Sequence, residues 1–252
     1  MSKTFGRALA PAFAFLFAIA SFWATGRTAS AAQLTYTAQA RTVRSYASSG
    51  LGIDTNSPQY HIQSAADTGP FDAAVSSQLV YDAFSTNQGA ASQRSVLMPT
   101  YAQAYGSVSG VDAISFGGTG TGQGESHFVV SFTLDQSSGY DFDLNVVGTF
   151  GKNRGPTPVP DISFGYSASL VGPGGTVFDT GKLSVAAHPT FTGQLAGGDY
   201  TLSVHVENGS TGYATGSGAA TYNAFFIVPE PASVGICGIA AALLGRRRRR
   251  AG

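Results

Sequence analysis

Polar and apolar residues alternate most regularly in the second half of the chain. In HFVVSFTLD (127–135), Phe128, Val130, Phe132 and Leu134 share one face, with Ser131, Thr133 and Asp135 on the other. GYDFDLNVV (139–147) sets Tyr140, Phe142, Leu144 and Val146 against Asp141, Asp143 and Asn145. DISFGYSASL (161–170) turns Ile162, Phe164, Tyr166, Ala168 and Leu170 inward. GDYTLSVHVEN (198–208) does the same with Tyr200, Leu202, Val204 and Val206, leaving Thr201, Ser203, His205 and Glu207 outside. ATYNAFFIV (220–228) reads as a last strand before Pro229. A period of two with one apolar face is the mark of a strand whose other face meets solvent. Turns such as VGPGGT (171–176) and LAGGDY (195–200) separate these segments. The spacing predicts an all-β, antiparallel β-sandwich, jelly-roll-like, with no strand–helix–strand unit.

The first half is less apolar. QLTYTAQARTVRSYA (33–47), FDAAVSSQLVYDAF (71–84), SVLMPTYAQAYGSVS (95–109) and VDAISFGG (111–118) read as weaker strands. GGTGTGQGES (117–126) reads as a flexible glycine-rich connection ahead of the strongest strand. No Pro-rich or charged linker interrupts residues 32–228, so they are expected to form one domain.

The two ends differ from this domain. Lys3 and Arg7 precede an uncharged run from Ala8 to Ala24, and Ala29-Ser30-Ala31 offers a small-x-small cleavage site. Residues 1–31 therefore read as an export signal cut by signal peptidase, with Ala29 and Ala31 as its recognition positions. An uncleaved N-terminal anchor is the alternative. At the other end, Pro229, Glu230 and Pro231 precede an uncharged stretch from Ala232 to Gly245, then Arg246, Arg247, Arg248, Arg249 and Arg250. Fourteen residues of helix cover about 21 Å, short of the hydrocarbon thickness, so the arginines would have to snorkel. Their charge keeps that flank cytoplasmic and the preceding domain on the far side.

This order of features closely resembles the PEP-CTERM sorting signal, over residues 229–252 alone. The resemblance implies an exported protein of a Gram-negative bacterium that inserts transiently in the inner membrane. It implies processing by an exosortase near Pro-Glu-Pro, and delivery to the cell surface or extracellular matrix, in association with exopolysaccharide. A plain tail anchor is the competing reading of the same residues.

Removing both ends changes the charge. Residues 32–228 hold six basic residues (Arg41, Arg44, Arg94, Lys152, Arg154, Lys182) and thirteen acidic ones, a net of −7. That balance argues against nucleic-acid partners, which require clustered cations. Cys237, the single cysteine, lies in the tail, so the domain has no disulfide, thiol nucleophile or cysteine metal site.

No nucleophile elbow, HExxH, phosphate loop or EF-hand loop is present, and the expectation is a non-enzymatic structural protein without a resident cofactor. His61, His127, His188 and His205 are scattered without ligand spacing, His205 with Glu207 on one strand face being the best metal pair. Asp141, Asp143 and Asn145 share a strand face about 6.6 Å apart in succession and are the candidate oxygen ligands for calcium. A carbohydrate-binding module tethering cell to polysaccharide is the alternative function. Trp23 is lost with the signal, leaving Tyr213 in NGSTGYATGSG (208–218) as the candidate glycan contact, with Tyr101 and Tyr105 on a strand face.

Overall fold

The computed structural model describes residues 32–51, 54–82, 85–113, 119–152, 161–212 and 216–229. The first six strands are β1 (Leu34–Leu51), β2 (Asp54–Ser64), β3 (Phe71–Asp82), β4 (Ser85–Met98), β5 (Tyr101–Ala113) and β6 (Thr119–Leu134). The last six are β7 (Ser138–Lys152), β8 (Asp161–Gly172), β9 (Gly175–Asp179), β10 (Thr190–Leu195), β11 (Gly198–Gly212) and β12 (Gly216–Ile227). They form two six-stranded antiparallel sheets, in the orders β2-β1-β6-β11-β8-β9 and β10-β7-β12-β5-β4-β3. We call them sheet A and sheet B. Among the described residues no helix is long and apolar enough to cross a membrane.

The sheets pack face to face as a β-sandwich. Phe128, Val130, Phe132 and Leu134 of sheet A bury against Tyr140, Phe142, Leu144 and Phe226 of sheet B. Rings meet across the layer, with Phe132 and Phe226 at 5.5 Å between centroids. Every inward residue expected in the β6, β7 and β11 segments is buried, as are Phe164, Tyr166, Ala168 and Leu170 of β8. Burial of these rings and aliphatic chains, each worth about 1.5–3 kcal/mol, is the main force joining the sheets.

Both flanks of the sandwich are closed. On one flank the β9 and β10 edges meet through Phe178 and Phe191, stacked at 4.5 Å with an interplanar angle of 5°. On the other, Ser45 of β1 and Ser77 of β3 share a hydrogen bond of 2.8 Å between the sheets. Arg41 lies fully buried beside this flank. Its guanidinium donates to the Gly69 carbonyl at 2.7 Å, to the Asp67 carbonyl, and to Ser95 Oγ at 3.2 Å, so it ties the β2–β3 connection down. The Phe71 ring lies 5.8 Å from the same guanidinium.

Two expectations for the first half are corrected. Residues from Thr119 onward are not a loose connection but the start of β6, where Gly120, Gly122 and Gly124 face inward and are buried. An ideal Cβ on Gly124 would stand 1.9 Å from the Ala90 carbonyl oxygen, and one on Gly89 2.1 Å from that of Gln123. The glycines are there because the backbones of β4 and β6 touch across the layer, far closer than the usual ~10 Å sheet spacing. Residues 95–109 are two strands, because Pro99 and Thr100 form a turn between β4 and β5. That turn also holds the ends of the domain: Leu34 donates its N–H to the Pro99 carbonyl and Val228 to the Thr100 carbonyl.

Candidate functional site

The antiparallel register of β6 and β11 sets Glu125 opposite Glu207 and His127 opposite His205. Alternation points all four side chains to the outer face of sheet A. The two imidazoles stack with centroids 4.1 Å apart and an interplanar angle of 22°. His127 Nε2 donates to Glu125 Oε2 at 3.2 Å, and His205 Nε2 lies 3.9 Å from Glu207 Oε2. One donor atom from each of Glu125, His127 and His205 lies within 4.8 Å of the others. Histidines that look scattered along the chain are thus brought together by strand pairing.

Like charges directly opposite one another are unfavourable, so Glu125 facing Glu207 needs compensation. Arg44 of β1 supplies some, its Nη1 lying 3.9 Å from Glu125 Oε2, and Lys182 pairs with Glu207. The His127 hydrogen bond, with nearby positive charge, holds the Glu125 carboxyl below its ordinary range despite burial. His205 moves down, first because burial disfavours its cation and then because His127 lies beside it. Glu125 is therefore held as a carboxylate and His205 is biased toward its neutral form. His205 Nε2 is shielded from solvent and has no hydrogen-bond partner. A small cleft of about 70 Å³ adjoins the cluster, lined by Arg44, Ser45, Tyr46, Tyr60, Gln123 and Glu125.

The outer face of sheet B presents a different surface. Its rows run Val96–Gln103–Phe225–Asp143 and Arg94–Tyr105–Asn223–Asn145 across β4, β5, β12 and β7. Tyr105 is 41% exposed. Gln103 donates to Asn223 Oδ1 at 3.3 Å, while Tyr101 packs against Phe225 at 5.7 Å. Asp141, Asp143 and Asn145 stand on this face of β7, as their alternation predicts. Asp143 is engaged, both its oxygens accepting from His188 Nε2 at 2.8 Å. Among the described residues, Glu125, His127 and His205 bring three His or carboxylate donor atoms close enough together to share a metal ion.

A third polar group lies inside the sandwich, at the end of the glycine layer. Asn87, Asp112, Asn208 and Ser210 are all buried, and both Asp112 oxygens lack a hydrogen-bond partner. Burial pushes the Asp112 carboxyl up to about 7. The Gly212 backbone offsets part of this without making a hydrogen bond of ordinary geometry.

The remaining sequence candidates, Tyr213, Ala29, Ala31, Glu230, Pro231 and Arg246 to Arg250, lie outside the described residues. Pro229 is described and exposed, its carbonyl 3.5 Å from Ser138 Oγ.

No protein-family model matches the chain. No curated protein matches it either. Among solved structures, one described as "Structure of infectious bursal disease virus Gx strain" is similar to this chain at 9% identity, covering 89% of it and 76% of the other chain. The TM-score of 0.16 is too low for that likeness to carry an argument.

Proposed function

We propose that this chain is an exported β-sandwich that serves at the cell surface or in the extracellular matrix as a non-enzymatic structural component. The observation that carries the reading is the run of Pro229-Glu230-Pro231, an uncharged segment and five arginines, in a chain that also bears an export signal at residues 1–31. Signal peptidase would free Ala32, and the tail would insert in the inner membrane until an exosortase-type enzyme acts near Pro-Glu-Pro. A neutral exopolysaccharide suits a domain of net charge −7 better than nucleic acid does.

The finer fold reading is a jelly roll built from β5 to β12. Its support is the strand order: β5-β12-β7-β10 in one sheet and β6-β11-β8-β9 in the other form two interleaved Greek keys. The β1–β2 and β3–β4 hairpins then widen each sheet by two strands.

The test of the sorting reading is direct. The surface protein is isolated from its host and its C-terminal peptide is sequenced. A mature terminus at or just after Pro-Glu-Pro is the expected result. A mature protein still ending in the intact arginine cluster would reduce the signal to a tail anchor.

One observation favours a second reading, a carbohydrate-binding module: the exposed Tyr105 and the Gln103–Asn223 amide pair beside Phe225 on sheet B. Aromatic faces flanked by amides suit stacking and hydrogen bonding to sugars. Retention of the protein on exopolysaccharide from its host should then fall roughly tenfold in Tyr105→Ala, from the loss of about 1.4 kcal/mol of stacking. Retention unchanged by that substitution removes the face from consideration.

A further inference from the structure

We infer that Glu125, His127, His205 and Glu207 form a binding site for one divalent transition metal ion of the zinc type, on the outer face of sheet A. The donors come from two adjacent strands in register, His127 opposite His205 and Glu125 opposite Glu207. Two imidazole nitrogens and two carboxylates make the mixed donor set that suits zinc and poorly suits calcium, which takes six to eight oxygens.

The distances fit with small adjustments. Bonds of about 2.1 Å in a tetrahedron separate ligand atoms by roughly 3.4 Å. The His127–Glu125 pair is already at 3.2 Å and the His205–Glu207 pair at 3.9 Å. The group of Glu125, His127 and His205 spans at most 4.8 Å, a gap within the reach of side-chain rotation, and Glu207 adjoins it through His205. Arg44 and Lys182 hold the carboxylates from either side.

Two features of the cluster are costly without an ion between them. Two carboxylates face each other across the strand pair with only Arg44 and Lys182 to offset them, and a shielded His205 nitrogen makes no hydrogen bond. A dication resolves both, by neutralising the carboxylates and accepting the nitrogen lone pair. On sheet B, the Asp143–His188 pair has no third His, Cys, Asp or Glu donor within reach among the described residues.

The test uses the protein purified from its own host, stripped with chelator and dialysed against Zn²⁺ and, separately, Co²⁺. One tightly held Zn²⁺ per chain is expected, with a rise in thermal midpoint on loading. Cobalt should give the intense visible absorption of a four-coordinate ion. His127→Gln and His205→Gln should each weaken Zn²⁺ binding at least tenfold and abolish the cobalt band, with Glu207→Gln on the order of tenfold. His61→Gln with His188→Gln, on sites elsewhere in the fold, should change neither. Circular dichroism of each variant separates lost ligation from lost folding; His127 and His205 are partly exposed, so their variants should fold. Absence of saturable binding in the wild-type protein overturns the inference. Binding that survives both histidine variants, or that is lost with His61 and His188 instead, overturns it equally.

Discussion

Asp112 illustrates how a single side chain can set the pH response of the whole fold. Buried with both oxygens unpartnered, its carboxyl is raised from an ordinary 3.8 to about 7. The folded protein therefore keeps a proton that the unfolded chain releases. Its contribution to stability is fully present below the unfolded value, is lost as pH rises toward about 7, and changes no further above that. Asp112→Asn cannot ionise and escapes this loss. The variant should be more stable than the wild type by on the order of 2 kcal/mol near pH 8, with the gain shrinking toward zero near pH 4. Denaturant melts at the two pH values check it. A gain equal at both would mean that packing, not ionisation, governs the site. Asp112 is not legible in the sequence, since nothing in VDAISFGG distinguishes a buried carboxylate from one in a turn. The pairing of His205 with Glu207 on one strand face is legible in the sequence, but their union with Glu125 and His127 is not. The signal was present as a reversed pair, Glu125-Ser126-His127 and His205-Val206-Glu207, which antiparallel pairing superposes like with like. Only the register, 78 residues apart in the chain for the histidines, turns the two short words into one cluster.

Among the strands, those with large apolar residues at every second position were legible. Phe128 to Leu134, Tyr140 to Val146 and Tyr200 to Val206 carry enough contrast between faces to fix both the element and its inward side. β2 and much of β4 did not, because their residues are small or polar. β4 buries Asn87, Gly89, Ala91, Gln93 and Ser95 on its inner face, so it has no hydrophobic period to read. The same lack of contrast hid the start of β6. There the alternation is of glycine with Thr, Gln and Glu, and glycine suggests a loop unless a second backbone is known to lie against it. Gly124→Ala tests this close approach. A methyl at 1.9 Å from the Ala90 carbonyl cannot be accommodated by rotation, because the obstacle is main chain. The substitution should cost at least ~2 kcal/mol, read as a lower denaturant midpoint, although alanine usually favours neither strand nor loop by that much. An unchanged midpoint would show that β4 and β6 can move apart freely.

At the level of the molecule, two outer faces differ in chemistry while one core joins them. Sheet A carries the His–Glu block beside Arg44, and sheet B carries the tyrosine and amide rows. A ligand on one face would leave the other available, so metal loading and polysaccharide retention can be measured as independent properties. The aromatic stack of Phe178 and Phe191 closes one flank and the buried Arg41 secures the other.

The Pro99–Thr100 turn, which receives hydrogen bonds from both Leu34 and Val228, has a topological consequence. Entry and exit of the strand path lie side by side, so the path is nearly a closed ring in which the cut could have fallen elsewhere. Joining residue 229 to residue 32 through a few glycines and reopening the chain between β5 and β6 leaves all the strand pairings intact. The order in which the strands are synthesised would change, and the sandwich they build would not.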